Sequence, residues 1–151
     1  AQLHIYGDGN YFAQTQQLIN QNNLTNKVFL KGKVLPTELV QVTLEATIGI
    51  NLVENKGLNQ YYSLANKFFD YICVGLPVLN NYPGWISELI TQYNCGITVS
   101  PDNPVAFADS LIKLEQEKYK LPEMSVNARN LAENEFDRIL LSDKWVDWVT
   151  S

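Results

Sequence analysis

The strongest constraint in this chain is an alternation: short apolar runs with the look of strands recur between stretches with helical periodicity. The strand-like runs are Gln2–Tyr6, Val28–Leu30, Thr47–Val53, Leu76–Leu79 and Gly96–Val99. Between and after them, helical patterns run over Tyr11–Asn20, onward from Pro36, and over Ser63–Val74, Pro83–Tyr93, Pro104–Glu117, Met124–Phe136 and Ser142–Thr150. The strands are rich in Ile, Val and Leu, as expected when both faces of a sheet are covered. The pattern predicts an α/β fold: a doubly wound parallel sheet, Rossmann-like, in three α/β/α layers. Folds of this kind bind ligands at the carboxyl ends of their strands. That directs attention to Gly7–Asn10, Gly32–Leu35, Glu54–Asn66, Asn80–Trp85 and Ser100–Asn103.

Length and charge narrow the function classes. The 151 residues read as a single domain, 1–151, with 46% hydrophobic and 18% charged residues, a composition that folds. Eleven Lys and Arg against sixteen Asp and Glu give a net charge of −5. Phosphate backbones and anionic lipid surfaces call for the opposite sign, so nucleic-acid binding and a polybasic membrane anchor are not expected. No apolar run approaches the roughly 18 residues of a membrane span. The single histidine, His4, sits inside a strand and reads as structural, and Cys73 and Cys95 read as small buried hydrophobes. No metal-ligand spacing is present in the sequence. Because the chain enters a strand by Leu3, it is expected to be part of a longer protein.

Two segments carry chemistry. Gly7-Asp8-Gly9 follows a strand and precedes a helix, but Phe12 stands where a dinucleotide fingerprint needs its third glycine. The turn is therefore either a plain tight turn or a place where backbone meets ligand. In Tyr61–Gly75, Ser63, Asn66, Lys67 and Asp70 fall within one arc of about 100° on a helical wheel. Most of the remaining circumference is apolar, which predicts a mostly buried helix with a polar tip. With Ser63 as N-cap, the amides of Leu64, Ala65 and Asn66 would offer a phosphate site. Lys67 would add positive charge, and Asp70 could accept hydrogen bonds from vicinal hydroxyls. The bland alternative is an i, i+3 surface pair between Lys67 and Asp70, worth a few tenths of a kcal/mol. Elsewhere Leu39, Val42 and Leu44 are expected to face inward, Trp85 to be a core or lid residue, and Trp145 and Trp148 to face a neighbour.

The ordered set LHIYGDGN, VFLKGKV, TIGINLV, NKFFDYICVGLPVL, NCGITV and NARNLAENEF resembles the C-terminal, donor-binding domain of GT-B glycosyltransferases, family 4 in particular. The resemblance runs over essentially the whole chain. It implies retaining transfer of a glycosyl group, from a UDP- or GDP-linked sugar to an acceptor hydroxyl, with no cofactor beyond that substrate. It places Asp70 at the second carboxylate of the family's paired glutamates, the one that binds the ribose. Tyr62 stands at the first, which contacts the transferred sugar, so no catalytic residue is assigned. Gly7 and Gly9 would border the cleft, Lys33 and Val34 would meet the base, and Tyr62–Asn66 would hold the diphosphate. The resemblance further implies an N-terminal acceptor-binding domain and a first strand–helix unit, both outside this chain, without which the chain alone is expected to be inactive. It leaves peripheral membrane contact to that other domain. It suggests a cytoplasmic location, up to the inner face of the membrane, and a part in polysaccharide biosynthesis. Two alternatives remain: a nucleotide-sugar epimerase of the same fold, and a degenerate donor domain that serves as a scaffold.

Overall fold

The computed structural model describes residues 1–54 and 57–151. Residues 55 and 56, in the loop expected to join the third strand to the polar-tipped helix, lie outside the described residues. The chain divides into two compact units, Ala1–Val42 and Thr43–Ser151.

In the first unit, β1 (Leu3–Tyr6) and β2 (Val28–Gly32) pair in parallel across α1 (Phe12–Gln21), and α2 (Pro36–Leu44) follows. The register runs from Leu3 opposite Val28 to Tyr6 opposite Gly32, with one irregularity after Ile5. Glu38 starts α2 by reaching back to the Leu35 amide at 3.0 Å, half of a capping box. Ile19 is the one large apolar side chain that this unit buries among the described residues. Coverage of both strand faces therefore does not extend to β1, where Leu3, His4 and Ile5 are exposed. Two strands with one intervening helix supply too little apolar surface to close a core. His4 packs its ring edge-on against Phe29 at 5.1 Å, an exposed structural contact. In α2 the inward expectation fails for Leu39 and Leu44, which are exposed, while Thr43 is buried and Val42 half-buried. Neighbouring helical residues point about 100° apart, so a helix seated on Thr43 turns Leu44 away.

The second unit holds β3 (Gly49–Asn51), α3 (Leu58–Tyr61), α4 (Asn66–Cys73), β4 (Val78–Asn80), α5 (Trp85–Tyr93), β5 (Gly96–Thr98), α6 (Pro104–Gln116), a single 3₁₀ turn, α7 (Leu121–Glu135) and α8 (Arg138–Thr150). The strands pair in parallel in the order β3-β4-β5, and β4, in the middle, is buried throughout. The core combines Phe68 and Ile72 of α4, Ile86 and Ile90 of α5, and Ala128 and Leu131 of α7 around Val78 and Cys95. Cys95 is fully buried as expected, but Cys73 is exposed. It follows Ile72 on the helix, and burying Ile72 rotates Cys73 outward. Trp85 keeps 42% exposure and packs edge-on against Phe136. Trp145 and Trp148 are exposed, and α8 has no buried residue. No helix among the described residues is long and apolar enough to cross a membrane.

Candidate functional site

The carboxyl ends of the strands are where function is expected. Within the first unit, the β1–α1 turn holds Gly7 at φ +131°, its amide donating to the Gly32 carbonyl at 2.7 Å. A Cβ at Gly7 or Gly9 would meet nothing within 4 Å, so no neighbouring atom requires either glycine. Gly7 is needed for its backbone angle. After β2, Lys33 is exposed and Val34 half-buried. Gly7, Gly9, Lys33 and Val34 thus all belong to the loops that leave β1 and β2.

Within the second unit, α4 is the central piece. It begins at Asn66, with Ala65 as an extended N-cap (φ −71°, ψ 121°) that makes no side-chain cap bond. Ser63 is therefore not the N-cap; Ser63, Leu64 and Ala65 form the approach to the helix. Tertiary packing decides this. The Tyr61 carbonyl, at the end of α3, lies 2.1 Å from where a Cβ of Gly84 would stand, so the chain passes directly over a glycine. The first turn of α4 then closes through the Phe68 amide on the Ala65 carbonyl at 2.9 Å. Helix geometry leaves the amides of Asn66 and Lys67 as the outward donors, so the first of them stands two positions later than the Leu64 amide expected from the sequence.

Two side chains one turn apart tie α4 to the adjoining strand. The Lys67 ammonium donates to the Leu52 carbonyl at 3.0 Å, and the Tyr71 hydroxyl to the Ile50 carbonyl at 3.3 Å. The i, i+3 pair of Lys67 with Asp70 does not form. Burial pushes the Lys67 ammonium below the usual lysine range. Burial, and then the Asp70 charge, raise the Tyr71 phenol. Asp70 is exposed one turn into α4. Tyr62 is 74% exposed, its ring set edge-on against Tyr61 at 5.0 Å, so no carboxylate stands at that position.

A polar network not expected from the sequence closes the ends of β3 and β4. Asn51 and Asn80 are register partners and fully buried. Asn51 Nδ2 donates to Asn80 Oδ1 at 3.1 Å, and Asn80 Nδ2 to the Tyr82 carbonyl at 2.7 Å. Asn81 accepts the Val53 amide at 2.8 Å and donates to the Val53 carbonyl at 3.0 Å. The available signal was compositional: asparagines end two strands that are otherwise apolar, in TIGIN and LPVLNN. Asn51 Nδ2 also lies 3.3 Å from the Tyr82 hydroxyl, while Asn51 Oδ1 is buried without a hydrogen-bond partner among the described residues.

Cavities of about 430 and 320 Å³ lie elsewhere in this unit. One is lined by Asn94 and Gly96, the other by Thr47 and Pro77. Those are the amino ends of β5 and of β3 and β4, the opposite end from the expected site. Among the described residues no three His, Cys, Asp or Glu side chains gather as a metal-binding group.

A family model described as glycosyl transferases group 1 matches residues 1–131. No curated protein sequence matches the chain. Among solved structures, a TarM mutant of S. aureus in complex with fondaparinux, alpha-GlcNAc-glycerol and UDP aligns over 100% of this chain and 29% of its own, with 20% identity and a TM-score of 0.80. HepE of Anabaena in complex with UDP-glucose aligns over 99% of this chain and 40% of its own, with 17% identity and a TM-score of 0.81. The pneumococcal O-GlcNAc transferase GtfA, with UDP and GlcNAc, aligns over 99% of this chain and 29% of its own, with 20% identity and a TM-score of 0.77. At these identities the likeness is one of fold, and it agrees with the Rossmann-like α/β architecture expected from the sequence. The chain spans less than half the length of each of these proteins.

Proposed function

The chain belongs to the glycosyl transferases group 1 family, and from that premise we propose that it holds the nucleotide-sugar donor of an enzyme that transfers a glycosyl group, with retention, to an acceptor hydroxyl. The observation that carries this reading is the tip of α4. Two outward amides, the positive end of a helix dipole and the Lys67 ammonium meet there, with the Asp70 carboxylate exposed one turn further on. A nucleoside diphosphate has the complementary order of charges. Its diphosphate suits the amides and Lys67, and its vicinal ribose hydroxyls suit Asp70 as acceptor. In the reaction, negative charge grows on the departing diphosphate. Fixed dipoles and a cation at that point would lower the barrier without reorganising at the moment of transfer.

UDP or GDP is the proposed carrier, with no cofactor beyond the substrate. Gly7, Gly9, Lys33 and Val34, in the first unit, are proposed as nucleotide contacts, the last two with the base. Ser63, Leu64 and Ala65 line the approach to the diphosphate. The acceptor, a part in polysaccharide assembly, work in the cytoplasm up to the inner membrane face, and any membrane contact are assigned to the rest of the protein. So is completion of the active site, which makes this chain by itself inactive in transfer. The exposed Tyr62 favours one second reading, a degenerate donor domain that binds nucleotide and scaffolds a partner.

Calorimetric titration of the chain with UDP, GDP and ADP tests the reading, with sensitivity down to millimolar affinity, about −4 kcal/mol. One diphosphate is expected to bind, and Asp70→Ala and Lys67→Ala each to weaken it about tenfold or more. Absence of binding by all three, or binding indifferent to both substitutions, would sink the reading. Nucleotide binding by the protein in which this chain resides, with no turnover of any donor sugar, would favour the scaffold.

A further inference from the structure

The end of β3 is held by more than its backbone ladder. The last paired residue is Asn51, opposite Asn80. Beyond it two more residues are tied down by side chains: the Leu52 carbonyl by Lys67, and the Val53 amide and carbonyl by the carboxamide of Asn81. In an extended residue the N–H and C=O point to the same side. A carboxamide presents one donor and one acceptor along one edge, so Asn81 completes that pair as a neighbouring strand would. Aspartate could accept but not donate, and alanine could do neither. Val53 also packs, half-buried, against the core cluster. Its peptide therefore has a defined place, and the Leu52 carbonyl that precedes it inherits that place.

We infer that Asn81 is a positioning residue for the donor site: by clamping the Val53 main chain it fixes the Leu52 carbonyl, and through that carbonyl it sets where the Lys67 ammonium stands. The inference rests on the reading of Lys67 as a diphosphate contact. Asn81 itself needs no contact with the ligand. Its part is to keep Lys67 from sampling orientations that point away from the helix tip, and pre-organisation of this kind appears as affinity. Asn51 and Asn80 brace the same strand end one step earlier, from inside the core, through the bond from Asn51 Nδ2 to Asn80 Oδ1.

The test is a double-mutant cycle on UDP affinity, with GDP in its place if GDP is the nucleotide that binds. The four proteins are the chain, Asn81→Ala, Lys67→Ala and the double variant, each checked for native circular dichroism at the titration temperature. Asn81→Ala is expected to weaken binding about fivefold to tenfold when Lys67 is present and less than twofold when it is absent. A loss of equal size in both backgrounds would make Asn81 merely structural, and no loss in either would remove it from the site; both outcomes overturn the inference. If Asn81→Ala does not fold, Asn81→Asp, which keeps the acceptor for the Val53 amide, takes its place in the same cycle, and the same two outcomes overturn the inference. Indifference of UDP and GDP binding to Lys67→Ala alone would instead overturn the underlying reading of the site, and the inference with it.

Discussion

At the scale of the residue, the environment of each titratable group decides what it can do. Lys67 is the informative case. Burial holds its ammonium below the ordinary lysine range, while its hydrogen bond is to the uncharged Leu52 carbonyl. A diphosphate beside it would favour the charged form and pull the pKa back up, so nucleotide binding and protonation are linked. The sign follows: affinity is full while Lys67 is protonated in the free chain and falls as pH rises through its lowered pKa. Titrations across that range should show the loss in the chain, and Lys67→Ala should remove it. The two cysteines differ as sharply. Burial raises the Cys95 thiol to about 11, whereas Cys73 is exposed. A thiol reagent should therefore modify Cys73 in the native chain and reach Cys95 only on unfolding, as mass spectrometry before and after denaturant would show.

At the scale of the element, α4 is fixed at both ends by different means. Its carboxyl end was legible in the sequence: Gly75 adopts φ +70°, its amide meets the Ile72 carbonyl at 3.0 Å, and the Leu76 amide meets the Tyr71 carbonyl at 2.9 Å. That is a Schellman closure, which a glycine after an apolar helix announces locally. Helix α7 then adds what no local rule supplies, with Ser125 donating to the Gly75 carbonyl and Arg129 to the Cys73 carbonyl. The amino end was not legible. Ser63 has the right chemistry for an N-cap, yet the helix starts at Asn66, because Lys67 and Tyr71 reach carbonyls of residues 52 and 50 and Tyr61 runs over Gly84. Gly75→Ala should cost about 1–2 kcal/mol in chemical denaturation, from the left-handed angle together with a Cβ 3.1 Å from the Ser125 carbonyl oxygen. Because α4 would lose its stop and not its start, nucleotide affinity well below the melting temperature should change by less than twofold.

At the scale of the whole molecule, stability is unevenly distributed. Ile19 is the one large apolar side chain buried in Ala1–Val42, whereas Thr43–Ser151 holds the core cluster. Hydrogen exchange should therefore find amides of β1 and β2 less protected than those of β4, and nearly equal protection would contradict that distribution. The alternation of strand and helix, the parallel α/β class, the Gly75 stop and the presence of Lys67 and Asp70 on one helix were determined by the sequence itself. Each depends on periodicity or on residues within a turn of one another, where local chemistry dominates. The mostly buried character expected of that helix was not so determined, since α4 buries only Phe68 and Ile72. Only the tertiary structure decided that α4 begins at Asn66, that Lys67 turns to Leu52 and not to Asp70, that Cys73 faces outward, and that Asn81 grips Val53. Those outcomes join residues as far as 28 positions apart. Propensity has no reach over such separations; what selects among the locally allowed choices is the packing of Phe68 and Ile72, and the need of buried polar groups for partners.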